Sequence, residues 1–138
     1  MKVIYLVRGC SGSGKTTKAN QMAEQLQRAA RRLSDFYVPV VCAADDYFED
    51  EAGKYVFDPR YLAQAHKECQ RVATGAMQRG VPVIVHNTFT QRWEMHKYYE
   101  LAVEYGYTVK EIVCKGKFKN LHGVPDEVIE RQRARWEN

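Results

Sequence analysis

Three sets of residues in this sequence have types and spacing that could do chemistry. The first is Gly9-Cys10-Ser11-Gly12-Ser13-Gly14-Lys15-Thr16, which fits G-x-x-x-x-G-K-[ST] at every fixed position. Glycines let a backbone close around phosphate oxygens, so that successive N–H groups and the start of the next helix all face the anion. The spacing makes Gly9, Cys10, Ser11, Gly12, Ser13, Gly14, Lys15, Thr16 and Thr17 the candidate nucleotide-binding set, with Lys15 reaching the β- and γ-phosphates. The Thr16 hydroxyl is the hard oxygen that a Mg²⁺ ion bridging those phosphates takes as a ligand. ATP or another nucleoside triphosphate, with Mg²⁺, is the implied cofactor. The bland alternative is an ordinary Gly-rich turn.

The second set is Asp45-Asp46. A hydroxyl that attacks phosphorus must lose its proton, and a carboxylate within hydrogen-bond reach can orient it and take that proton. Adjacent residues on an extended segment point opposite ways, so one acid is expected to face the site and the other to pack or cap locally. Asp45 is the candidate base; two acids that merely cap the following turn are the competing explanation. The third set is basic or aromatic and scattered. Arg92 could meet acceptor phosphates or be a plain surface residue, and Tyr47, Phe48, Phe89 and Trp93 could stack bases or fill the core.

These residues need a frame. Val3-Ile4-Tyr5-Leu6-Val7 is an apolar strand ahead of the phosphate motif, and Ala19, Met22, Ala23, Leu26, Ala30 and Leu33 recur at helical spacing after it. Residues 36–43 form a β-rich run, with Pro39 expected near its beginning because proline cannot donate to a ladder. Asp58-Pro59 opens a long helix that Gly80 closes. Residues 81–86 are a continuous apolar run, the pattern of a strand buried on both faces. Residues 91–105 read as a third helix ended by Gly106, 107–114 as a fourth strand, and 115–123 as a polar loop; a last helix runs from Val124 to Trp136. The alternation predicts an α/β fold with a central parallel sheet of about four strands and helices on both faces. Ligands bind beyond the carboxyl ends of such strands, which singles out loops 9–15, 44–50, 86–92 and 115–124.

At 138 residues and 45% hydrophobic content the chain has room for one domain and no separate substrate domain. Nothing approaches the roughly 18 uninterrupted apolar residues of a membrane span, and the first strand starts too early for a signal peptide, so a cytoplasmic location is expected. Cys10, Cys42, Cys69 and Cys114 are evenly spread, without zinc-type pairs, and read as reduced thiols. The net charge of +4 suits a polyanionic partner but is also ordinary for a protein that binds only a nucleotide.

Taken together, the chain resembles the polynucleotide-kinase-like branch of P-loop phosphotransferases, which includes the phage 5′-hydroxyl polynucleotide kinase and NEDD4-binding-protein-2-like kinase domains. The matching stretches are Arg8-Gly9 with Gly12 to Thr16; Asp45-Asp46-Tyr47-Phe48; Phe57-Asp58-Pro59 with Ala65-His66 and Cys69; Val83 to Val85 with Asn87-Thr88; Trp93-Glu94-Met95; and Asn120 with His122-Gly123-Val124-Pro125. The resemblance implies a single P-loop kinase domain over residues 1–138 with a short lid at about 115–124. It implies Asp45 as the general base that activates a 5′-hydroxyl of RNA or DNA, and Lys15 and Thr16 as the phosphate- and metal-binding residues. Asn87, Arg92 and Tyr47 at the same rim are the candidate acceptor-side residues. No membrane association is expected, and no obligate protein partner is inferred.

Three departures stand out. Where the branch reads Asp-Asn-Thr-Asn, this chain reads His86-Asn87-Thr88-Phe89, so either metal binding rests more on Thr16 and Asp45 or His86 has taken a different role. Phe48 replaces an arginine after Asp-Asp-Tyr. The lid is short and carries Lys119 at the arginine position, which predicts either slower chemistry or help for Lys119 from Arg131 or Arg135. A kinase of a small nucleoside or metabolite, and a non-catalytic nucleotide-gated module, are the alternative functions.

Overall fold

The computed structural model of the chain describes residues 1–33, 37–118 and 122–138. Strand β1 (Val3–Arg8) lies at the middle of the sheet, between β3 (Val83–Asn87) and β4 (Thr108–Val113), and β2 (Val40–Cys42) pairs with β3 on the far side. The order is β2-β3-β1-β4, and every pairing is parallel, with Leu6 level with Val85 and Val85 level with Cys42. This is the expected four-stranded parallel sheet.

Alternation along the strands divides the core in two. Ile4, Leu6, Cys42, Val83 and Val85 face helices α2 (Leu62–Gln78) and α3 (His96–Tyr105), where Cys69, Ala73, Met77, Tyr98 and Leu101 cover them. Val7 and Ile84 point the other way, onto Ala19 and Met22 of α1 (Lys15–Arg32). Small alanines on the helices let them sit close to the sheet, and this sets where the strand ends open.

Element boundaries depart from expectation for identifiable reasons. β2 is only three residues long: Pro39 has no N–H to offer, and the ladder begins with Val40, whose N–H donates to Pro82 O at 3.0 Å. Asp58 caps as expected, accepting from Arg60 N, but the first turn over Pro59–Tyr61 is a 3₁₀ turn before α2 begins. A 3₁₀ turn over Arg92–Met95 likewise precedes α3. The last helix, α4 (Asp126–Ala134), stops short of Trp136. That ring has a better partner: the Arg8 guanidinium stacks on it at 4.6 Å.

Arg8 itself is 1% exposed at the end of β1. Its Nε donates to Phe89 O and its terminal nitrogens to Glu111 and to Glu137 O, while Glu137 N donates to Thr90 O. The end of the chain is thereby fastened to the carboxyl ends of β1 and β3.

Candidate active site

The loop between β1 and α1 folds as the glycines require. Gly12 and Gly14 have φ of 79° and 93°, and Gly14 leads into the first turn of α1, which contains no acidic residue to oppose an anion. At Gly9 a Cβ would come within 2.2 Å of Ser13 Oγ, so the loop can close only around a residue without a side chain. The loop is tied to the sheet by Gly9 N donating to Thr88 O and by Cys114 N donating to Arg8 O at 2.7 Å. Ser13 Oγ is buried without a hydrogen-bond partner among the described residues, an oxygen of the kind that a bound anionic group satisfies. Thr16 and Thr17 are exposed in the first turn of the helix, and the Lys15 ammonium donates to Cys10 O at 3.1 Å. Burial lowers the Lys15 pKa, and the facing Asp45 carboxylate partly restores it.

Asp45 and Asp46 divide their tasks, though not by the alternation of an extended strand. Residues Ala44–Phe48 form a 3₁₀ turn, in which Asp46 Oδ2 accepts from Ala43 N at 3.0 Å and caps the turn. Burial raises the Asp46 pKa. Asp45 is left projecting, 58% exposed, where its carboxylate accepts from Tyr55 Oη at 3.1 Å and stands 3.7 Å from His122 Nδ1. The Tyr55 ring meets the His122 ring edge-on at 4.0 Å, and burial followed by the Asp45 charge raises the Tyr55 pKa.

His86, half-buried near the end of β3, lies within electrostatic reach of Lys15 and Asp45. Burial and the Lys15 cation push its pKa down to about 4, so at neutral pH it is uncharged and adds no positive charge beside Asp45. Among the described residues no cluster of three or more His, Cys, Asp or Glu side chains could hold a metal. Thr16 on the first turn of α1 and the projecting Asp45 each present a hard oxygen, the donor type that Mg²⁺ takes in ones and twos beside phosphates and water.

The remaining expected residues are placed differently. Asn87 turns inward: its Oδ1 accepts from Ala44 N at 2.9 Å and its Nδ2 donates to Cys69 Sγ at 3.9 Å, so it holds the Asp45 turn in place and is not presented to an acceptor. Arg92 is engaged bidentately with Glu111, at 3.0 and 2.5 Å, so its fork is already filled by a carboxylate. Phe89 is core, at 1% exposure, and Trp93 is exposed. Tyr47 is exposed and packs edge-on against Phe48, which with Phe57 and Tyr55 forms an aromatic cluster beside Asp45. Arg131 is exposed on α4, and Arg135 donates to Thr90 Oγ1. Lys119 lies outside the described residues.

Sequence reasoning missed three contacts. Gln132, the residue after Arg131, is buried against the phosphate loop, its Oε1 accepting from Ser11 N at 2.8 Å and its Nε2 donating to Ser11 Oγ at 3.1 Å. Residues 116–118 cross the same loop as a strap: Gly116 N donates to Ser13 O and Phe118 N to Gly12 O at 2.8 Å, with the Phe118 ring over Gly14. Gly116 was a readable signal for that strap, since a Cβ there would meet the Phe118 ring at 2.2 Å. Tyr55 gave no signal in the sequence.

A family model, AAA_33, described as an AAA domain, matches residues 4–138. The chain belongs to the AAA_33 family. The human NEDD4-binding protein 2 is 34% identical to this AAA_33 domain over 145 residues, covering 98% of the chain; the chain spans only 8% of that protein's length. Among solved structures, one described as the Pnkp1/Rnl/Hen1 RNA repair complex aligns with a TM-score of 0.69 at 17% identity, over 97% of this chain and 43% of that one. A gluconokinase from Sinorhizobium meliloti 1021 aligns with a TM-score of 0.64 at 14% identity, over 99% of this chain and 76% of that one. The AAA_33 domain therefore has the P-loop kinase fold. No helix among its described residues is long and apolar enough to cross a membrane.

Proposed function

We propose that this AAA_33 domain is a kinase that moves the γ-phosphoryl group of a nucleoside triphosphate to the 5′-hydroxyl of an RNA or DNA strand. The observation that carries this reading is the placement of Asp45, a projecting carboxylate 3.7 Å from His122 Nδ1, within electrostatic reach of the phosphate-loop cation Lys15. Lys15 and the N–H groups of residues 9–17 hold the triphosphate. Asp45 orients the 5′-hydroxyl and accepts its proton as oxygen bonds to phosphorus and the bond to the departing nucleoside diphosphate breaks. Bound Mg²⁺ would supply charge neutralisation on the phosphates, with Thr16 and Asp45 as its protein ligands. Lys119 and Arg131 are the proposed cations for transition-state charge. The exposed Tyr47 and Phe57 beside Asp45 suit the unpaired bases of a strand end. The likeness to a chain of an RNA repair complex supports the choice of acceptor.

The test uses γ-labelled ATP with a 5′-hydroxyl oligonucleotide and, separately, mononucleosides and sugars. Label on the oligonucleotide that disappears in Asp45→Asn supports the reading. Label on small acceptors only makes the domain a metabolite kinase, and tight nucleotide binding without any transfer makes it a binding module.

A further inference from the structure

Beneath the Asp45 turn lie two thiols that the kinase reading does not use. Cys42 ends β2 level with Val85 of β3, and Cys69 on α2 accepts from Asn87, two residues further along that strand; each thiol is 3% exposed, and both belong to one core cluster. Both also line a cavity of about 370 Å³ bounded further by Asp46, Tyr47 and Glu68, which gives a small molecule a way to the sulfurs. Cys69 is the sulfur that accepts from Asn87 Nδ2, and Asn87 Oδ1 is the acceptor for Ala44 N. One chain of contacts therefore runs from the thiol pair to the residue beside Asp45.

We propose that Cys42 and Cys69 are a redox-modifiable pair, whose oxidation to a disulfide by a low-molecular-weight disulfide loosens the turn that carries Asp45. The Cys69 thiolate attacks one sulfur of the small disulfide and expels a small thiolate, leaving a mixed disulfide on Cys69. Cys42 then gives up its proton and attacks Cys69 Sγ, and the second small thiolate leaves. Two protein thiols are oxidised and one small disulfide is reduced to two thiols.

The two sulfurs are unequal in the sense this order requires. Hydrogen bonding, led by that from Cys42, lowers the Cys69 pKa, whereas Cys42 is raised. Closing the bond brings the sulfurs to about 2.05 Å, which draws Cys69 toward β2 and takes the Asn87 amide's acceptor away. Asn87 must then turn, and the Ala44 N–H loses its fixed partner. The bond itself stands independently of the kinase reading; only an effect on turnover rests on it.

The experiment incubates the reduced full chain with oxidised glutathione, alkylates the remaining thiols, maps peptides without reductant, and follows amide hydrogen exchange at Ala44. The expected result is a Cys42–Cys69 linked peptide that dithiothreitol reverses, with Ala44 exchanging about tenfold faster once its hydrogen bond loosens. In Cys42→Ser, Cys69 should instead retain glutathione as an unresolved mixed disulfide. Alkylation of both Cys42 and Cys69 throughout, with glutathione only on Cys10 or Cys114, would overturn the proposal. So would a linked peptide with Ala44 exchange unchanged. Should Cys42→Ser fail to fold, the unaltered chain still decides the matter, because both readouts are taken on it.

Discussion

At Asp45 the side chain is held by a phenol and an imidazole instead of a backbone cap, so its removal disturbs chemistry more than folding. Asp45→Asn keeps the acceptor for Tyr55 but cannot take a proton. The expected outcome is a fall in transfer rate of about 10²- to 10⁴-fold with nucleotide affinity little changed, read by single-turnover labelling alongside nucleotide titration. Gly9→Ala should do the converse. A methyl 2.2 Å from Ser13 Oγ forces the phosphate loop open, and nucleotide affinity should drop at least about tenfold in a folded protein. Asn87→Ala leaves the Ala44 N–H without its acceptor, so it should cost about 1–3 kcal/mol in urea unfolding and lower kcat through the turn it anchors. At this scale the turn over residues 9–14 was legible, because Gly12 and Gly14 stand close together in sequence and take the positive φ that glycine allows. Tyr55 and His122 were not, because 67 positions' worth of chain separates two rings that only the tertiary fold brings to Asp45.

Elements were legible to the extent that local signals controlled them. Gly80 and Gly106, with φ of 74° and 72°, end α2 and α3 where the pattern placed them. The ends set by long-range partners were misjudged: α4 releases Trp136 because Arg8, more than a hundred residues earlier, offers a cation for its ring. That fastening has a measurable worth. Trp136→Ala should destabilise the domain by about 1–2 kcal/mol, the range of a partly desolvated cation–π contact, with a lowered denaturation midpoint and near-native circular dichroism. The division between Asp45 and Asp46 was anticipated, but for the wrong geometric reason, since a 3₁₀ turn capped by Asp46 separates them and not a strand's pleat.

Over the whole molecule, the parallel topology followed from the alternation of strands with helices. The polar lattice around Glu111 did not, since Arg8, Arg92 and Tyr99 reach it from three different elements. The Arg92 guanidinium, foremost among them, lowers the Glu111 pKa to about 2 from its usual value near 4.5. A carboxylate held below its unfolded pKa stabilises the fold above that unfolded value, and the contribution is lost as pH falls through the folded pKa. Stability should thus decline between about pH 4.5 and pH 2, and Glu111→Gln should flatten the decline in a series of urea titrations across that range.

The strap at Gly116 and Phe118 gives the molecule one more property. Its hydrogen bonds end on carbonyls of Gly12 and Ser13, and the Phe118 ring lies over Gly14, so residues 116–118 and the phosphate motif can only loosen together. Whatever steadies one must steady the other by the same free energy. A triphosphate analogue that grips the loop should therefore slow amide hydrogen exchange at Gly116 and Phe118, and an unchanged rate there would show that the strap moves alone.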